Sequence, residues 1–268
     1  MQEKNKNIEI VCVSNNLETF NKVVQSNPNM NSYTITMFDN STENIGISKC
    51  YNNYIEKTVA PKADFWIIFC HQDFGFNEDP YNKIQNLDTK SIYGAIGTRN
   101  FYSIMKWIKG EISQKLGYYQ SFKINLKGLF SKEIKLFNIQ RYEQQSGIIK
   151  RKLLGQINQG QNGSDFNKLG KKIKFPQTVS SVDCCCLIVH SSLINKYNLR
   201  FDENLNWHMY AEEFCINCKK KYNISAKAVQ FDCYHLGIGN LNEDFYACAN
   251  YVKEKHSLSY LKTSCIDD

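Results

Sequence analysis

Three short apolar runs, each breaking off in a knot of polar residues, constrain this chain more tightly than any other feature. Ile8 to Val13 (IEIVCV) runs into Ser14-Asn15-Asn16, Tyr33 to Phe38 (YTITMF) into Asp39-Asn40-Ser41, and Asp64 to Cys70 (DFWIIFC) into His71-Gln72-Asp73. Apolar runs of this length, rich in β-branched and aromatic residues, suit strands of a buried parallel sheet. The stretches between them, Leu17 to Gln25 and Ile47 to about Thr58, read as helices. Strands alternating with helices predict an α/β fold with a mostly parallel central sheet flanked by helices. Ligands of such sheets sit beyond the carboxyl ends of the strands, which is where all three polar knots fall.

Further along, Ile92 to Ile96 predicts another strand, with Gly94 and Gly97 around it. Residues 155–170 (GQINQGQNGSDFNKLG) are rich in Gly, Asn and Gln and are expected to form a flexible loop. VDCCCLIV, from Val182, predicts one buried strand, Ser191 to Tyr197 a short helix, and Phe201 to Tyr210 a polar–aromatic loop. Ala211 to Tyr222 then reads as a helix, Ala226 to Phe231 as a strand, and the tail from about Leu241 as helical. No internal repeat interrupts this order, and one domain over residues 1–268 is expected.

Charge is distributed unevenly. The net charge is +7, yet residues 101–152 hold 11 Lys and Arg against 3 Glu, and the rest of the chain is close to balance. Phe101, Ile104, Met105, Ile108, Ile112 and Leu116 recur there at helical spacing. That segment is expected to be a basic helical insertion within the domain. Its lysines either solvate a packed helical cap or touch anionic lipid headgroups beside a lipid-linked acceptor. A local basic segment argues against a nucleic-acid partner. No apolar run is long enough to span a bilayer, and the polar start MQEKNKNIEI lacks the apolar core of a secretion signal. The expected location is the cytoplasm, peripheral to the inner face of the membrane if the lipid reading holds. The 11 cysteines fit that compartment. Cys184, Cys185 and Cys186 read as small core hydrophobes, and the CxxC of Cys215 and Cys218 has no second pair with which to build a zinc site.

Candidate chemistry gathers in three places. Asp73 directly follows a buried strand, where a carboxylate is costly unless it binds something or meets solvent. One or two carboxylates suffice for a cation that bridges a diphosphate. Asp202, His208, Tyr210, Glu212 and Glu213 form a second group. In it Trp207 and Tyr210 could wall a sugar ring, with His208 beside them, and Glu212 or Glu213 could serve as general base. Glu213 is the better placed of the two if Phe214 and Cys218 face the core. His235 stands alone after another strand, where it is a candidate ligand.

The ordered set ISKCYNNYIEK, DFWIIFCHQDFGF, YGAIGTRN, SVDCCCLIV, FDENLNWHMYAEEFCINC and YHLGIG resembles glycosyltransferase family 2-like proteins. The likeness is to a bacterial branch whose metal motif reads His-(Gln/Glu)-Asp, and it covers residues 8–100 and 179–240. The resemblance implies a GT-A fold and inverting transfer of a sugar from a nucleotide-diphosphate donor, UDP-sugars being the family's usual ones. The acceptor would be a hydroxyl of a cell-surface glycan or lipid-linked saccharide, and the cofactor Mn²⁺ or Mg²⁺. It further implies that Ser14 and Asn15 line the nucleotide pocket and that Asp39 contacts base or ribose. Gly46, Lys49 and Asn52 would lie near the pyrophosphate, and Asp183 near the donor sugar. Asp73, with His71 and His235, would hold the metal, and Glu213 would be the base. Two departures, His71 at the first metal position and Ala211-Glu212-Glu213 in the base region, motivate a competing reading as an inactive binding module. A nucleotidyltransferase ranks below both, because CVSNNLETF has neither Gly nor Lys for a phosphate loop.

Overall fold

A computed structural model describes residues 7–60, 64–98, 153–160, 166–237, 242–258, 261 and 263. The basic segment 101–152 lies outside the described residues. The chain is mixed α/β, with two sheets. The larger has seven strands in the order β2-β1-β3-β11-β5-β12-β9. These are β1 (Ile8–Ser14), β2 (Thr34–Asp39), β3 (Trp66–His71), β5 (Ile92–Gly94), β9 (Gln177–Val179), β11 (Cys186–His190) and β12 (Ala226–Ala228). β1, β2, β3, β5 and β12 point one way, while β11 and β9 run against them. The sheet is therefore mixed rather than all parallel.

Strand side chains alternate between two cores, as a period of two requires. Val11, Val13, Ile67, Phe69, Leu187 and Val189 face one side, and Ile10, Cys12, Ile68, Cys70, Cys186 and Ile188 the other. The first side is covered by α2 (Ile47–Tyr54), α4 (Ser191–Tyr197), α5 (Tyr210–Tyr222) and α6 (Glu243–Lys255). Each of the longer three carries a stripe at i, i+3, i+4 and i+7: Ile47, Cys50, Tyr51 and Tyr54 in α2; Ala211, Phe214, Cys215 and Cys218 in α5; Phe245, Cys248, Ala249 and Val252 in α6. Asparagines set several ends. Asn16 and Asn242 accept amide hydrogen bonds at the starts of α1 (Leu17–Phe20) and α6, and Asn198 and Asn223 close α4 and α5 in the left-handed conformation. π-helical turns over 21–25 and 55–59 extend α1 and α2. No helix among the described residues is long and apolar enough to cross a membrane.

The other side is covered by α1, α3 (Tyr81–Gln85) and the second sheet. Its strands are β10 (Ser181–Val182), β6 (Gly97–Thr98), β7 (Leu153–Gln159), β13 (Cys233–His235) and β4 (Phe74–Phe76), in that order, with β8 (Asn167–Lys171) on β7. Two sequence expectations change here. Residues 155–170, expected to be a flexible loop, instead supply much of β7 and β8, because one face of this small sheet tolerates Asn, Gln and Lys. VDCCCLIV is not one strand: it breaks at Asp183, whose carboxylate accepts the Cys185 amide at 2.7 Å and turns the chain from β10 into β11.

That break is one of five short crossings among the described residues. The chain passes between the sheets through short connections from β3 to β4, β5 to β6, β9 to β10, β10 to β11 and β12 to β13, besides the longer ones from β4 to β5 and β8 to β9. The crossings are stitched by backbone bonds: His71 N to Cys185 O (3.1 Å), Asp183 N to Ile96 O (3.0 Å) and Leu236 N to Asp73 O (3.0 Å).

Gly155 sits at the bulge of β7 with φ +83°, and a Cβ there would press on the carbonyl oxygen of Ala95, in the second crossing. Gly155→Ala should therefore destabilise the fold by about 2 kcal/mol or more, through strain at a left-handed position and the clash together. The urea unfolding midpoint reads this directly; an unchanged midpoint would contradict the close approach described.

Candidate metal centre at the sheet crossing

The first crossing carries His71-Gln72-Asp73. β3 delivers His71 beside Val13 of β1, and β4 begins at Phe74, which pairs with His235 of β13. His235 thus reaches Asp73 although 162 residues separate them in sequence. His71 Nδ1 lies 3.4 Å from His235 Nε2, His235 Nε2 lies 3.2 Å from Asp73 Oδ1, and His71 Nδ1 lies 4.0 Å from Asp73 Oδ1. The three side chains are 23%, 11% and 22% exposed for His71, His235 and Asp73. Gly237 completes the wall, since a Cβ there would lie 2.7 Å from Asp73 Oδ2.

These distances test whether a cation fits. A triangle with those edges has one point about 2.1 Å from every corner, which is the length of a metal–imidazole or metal–carboxylate bond. Electrostatics favour the ligating forms at two corners. Burial pushes the His71 pKa down, with Asp73 opposing and His235 assisting. Burial tends to raise the Asp73 carboxyl, but the His235 hydrogen bond and charge prevail and hold it at about 2. His235 moves the other way: burial lowers it, yet Asp73 wins and raises it. In this arrangement His235 Nε2–H points at the acidic side of the triangle.

Gln72 was not among the residues singled out from sequence, yet it organises the motif. Its Oε1 accepts from Ser14 Oγ (2.8 Å), Asn15 N (3.0 Å) and Asn16 N (2.9 Å), and its Nε2 donates to Asn15 Oδ1 (2.8 Å). Ser14 and Asn15, expected to line a nucleotide pocket, therefore hold the metal motif from behind with these groups. The signal lay in Ser14-Asn15-Asn16 and His71-Gln72-Asp73 ending adjacent strands. Asp39 stands beside Ser14 in register, exposed on the same rim, with its carboxylate lowered by hydrogen bonds from the Ser41 side chain and amide.

Other expected positions have different neighbours. Asn52 is buried and bonded to Phe201 N (2.9 Å), Phe201 O (3.0 Å) and Glu203 Oε1 (2.9 Å), so it ties α2 to the 201–206 segment and is not open to a pyrophosphate. Lys49 is exposed on α2. Trp207 is half-buried against the α5 side of the core, and the His208 ring meets Phe245 at 5.6 Å. Tyr210 is not a wall for a sugar. Its ring is buried among Tyr51, Phe201 and Phe214, and its hydroxyl bonds His71 Nε2 (2.8 Å) and Cys184 O (3.0 Å). Cys215 and Cys218 lie in the core, with burial pushing the Cys215 thiol up to about 12, as expected of small hydrophobes.

The two glutamates of α5 are both buried, each with an Oε2 that has no hydrogen-bond partner among the described residues, and they differ in what holds Oε1. Buried Glu213 Oε1 lies 2.6 Å from Nζ of the solvent-reaching Lys255 and 3.0 Å from buried His256 Nε2, and this cluster fastens the end of α6. Glu212 Oε1 accepts from Thr263 Oγ1 (2.7 Å), while its Oε2 is buried without a hydrogen-bond partner among the described residues. Burial chiefly, with a contribution from the Asp183 charge, raises Glu212 to about 7. The Asp183 charge also raises His71 and His235, whereas Glu213 is tied to α6.

No known family model matches the chain, and no curated protein matches it either.

A carboxyl held at about 7 in the folded state and near its ordinary value when unfolded favours folding in its neutral form. Its contribution is complete below about pH 4.5 and is lost as pH rises through 7, an effect of about 3 kcal/mol. Glu212→Gln should therefore be more stable than wild type at pH 8 and lose that advantage towards pH 4.5. Chemical denaturation across pH measures the difference; parallel curves would remove the assignment.

Proposed function

We propose that this chain is a metal-dependent glycosyltransferase of GT-A type that uses a nucleotide-diphosphate sugar. The observation that carries the reading is the convergence of His71, Asp73 and His235 on one point, at the rim where β1, β2 and β3 end. Two imidazoles and a carboxylate suit Mn²⁺ better than Mg²⁺, which prefers an all-oxygen shell. A divalent ion there would supply Lewis acidity and charge neutralisation for a departing diphosphate.

The chain's own groups supply the rest. Asp73 stays ionised and His71 neutral, so both present lone pairs. Gln72, clamped by the turn after β1, keeps the two in place. Asp39 stands exposed on the neighbouring strand end, available to a ribose or base. Glu212 is the better candidate for the base that takes a proton from an acceptor hydroxyl. Its pKa near neutrality matches general-base work, and the orphaned Oε2 has capacity for one more hydrogen bond. Glu213 has an unpartnered buried Oε2 as well, but its Oε1 is engaged by Lys255 and His256. That engagement of Glu213 is also the observation on the side of a binding module, which would hold nucleoside diphosphate without turnover.

The test is a panel of nucleotide sugars with Mn²⁺ or Mg²⁺, following release of nucleoside diphosphate. Asp73→Asn and His235→Ala should each lower Mn²⁺-dependent turnover at least a hundredfold. Glu212→Gln should lower kcat about a hundredfold or more with nucleotide affinity kept, whereas Glu213→Gln should act on stability. Wild-type turnover in both Asp73→Asn and Glu212→Gln would sink the assignment; nucleotide binding by wild type with no turnover would favour the module.

A further inference from the structure

A neutral imidazole can ligate through a given nitrogen only if its proton sits on the other one. At His71 the choice is made by neighbours. The Tyr210 hydroxyl has a single hydrogen, and the carbonyl of Cys184, 3.0 Å away, can only accept. With that hydrogen directed at Cys184, the Tyr210 oxygen is left to accept from His71 Nε2, at 2.8 Å. The neighbouring Tyr51 hydroxyl is a further hydrogen-bond partner of Tyr210 and has its own acceptor in Cys70 O at 3.3 Å. Proton on Nε2 means lone pair on Nδ1, the atom that faces Asp73 and His235.

Three observations fix Tyr210 in this role. Its ring is 1% exposed and packed edge-on against Tyr51 and Phe201. Met209 before it adopts φ +62°, a conformation rare for a bulky residue, and this turn starts α5. Cys184, its acceptor, belongs to the β10–β11 crossing, and the same crossing bonds the His71 amide through Cys185 O. Ring and backbone of His71 are thus both referred to one short segment, residues 184–185.

We propose that Tyr210 is a positioning residue for a divalent-metal site: it relays the Cys184 carbonyl to His71 Nε2 and so holds His71 in the tautomer that presents Nδ1 to the ion. This rests on the metal reading of the triangle but not on sugar transfer. It assigns no substrate contact to Tyr210.

The experiment is Mn²⁺ alone, titrated into the full chain with free ion followed by electron paramagnetic resonance. Tyr210→Phe keeps the ring packing and removes the relay. It should weaken Mn²⁺ binding 10- to 100-fold, the usual effect of removing a partner behind a ligating histidine. In a His71→Ala background the same substitution should change affinity less than twofold, because the two act through one bond. Full Mn²⁺ affinity in Tyr210→Phe, or an equal loss with and without His71, overturns the proposal. ¹⁵N shifts of the His71 ring in the metal-free wild type give a second readout that needs no variant. Nε2–H supports the relay, and Nδ1–H overturns it. Absence of Mn²⁺ binding by wild type would overturn both this inference and the metal reading. Binding that follows the pattern above, with no sugar transfer, would overturn the transferase reading alone.

Discussion

The structure depends on a buried requirement that backbone groups be paired where strands change sheets. A strand that leaves one sheet for another abandons its ladder, and its amides and carbonyls must find partners at once. The short crossings do so along one seam, and several satisfy one another: His71 with Cys185, Asp183 with Ile96, Leu236 with Asp73. The polar side chains at the crossings are part of this solution. Asp183 turns the chain by taking the Cys185 amide, and Gln72 takes the amides of Asn15 and Asn16. The candidate centre is therefore a by-product of topology as much as of chemistry. Where β3 becomes β4 beside β13, two histidines and an aspartate are brought face to face.

Energetically the seam leans on the aromatic core behind it. Tyr51, Phe69, Phe201, Tyr210 and Phe214 form a chain of ring contacts between the large sheet and α5, from the 4.5 Å stack of Phe201 on Phe214 to the 6.0 Å edge contact of Tyr51 with Tyr210. Contacts of this kind contribute about 0.5–1.5 kcal/mol each beyond burial. They also place a single phenol oxygen where a histidine can use it.

The sequence discloses the rim but not its wiring. Strand ends at Ser14, Asp39 and His71 are legible because apolar runs stop abruptly, and the stripes of α2 and α5 are legible from their spacing. The carboxylate Asp73 and the histidine His235 could be named because each follows a strand. The β7–β8 pair was hidden, since Asn and Gln on a solvent-facing strand resemble a loop. The turn at Asp183 was hidden inside an apolar octapeptide. The partners of Asn52, Gln72 and Glu213 lie 149, 57 and 43 residues away, and no local pattern encodes such pairings. Acidic residues at a helix start look alike in sequence. It took α6 to distinguish Glu213, bound to Lys255, from Glu212.

The crossings also have a mechanical consequence. Two sheets joined by short covalent crossings cannot slide over one another without breaking the hydrogen bonds from His71 to Cys185 and from Leu236 to Asp73, so the histidine and aspartate side of the centre behaves as an anvil. Motion that admits or releases a large molecule must then come from pieces that never change sheets. α6 is such a piece: it lies outside both sheets, and side-chain pairs of Lys255 with Asp202 and Glu213 fasten its end.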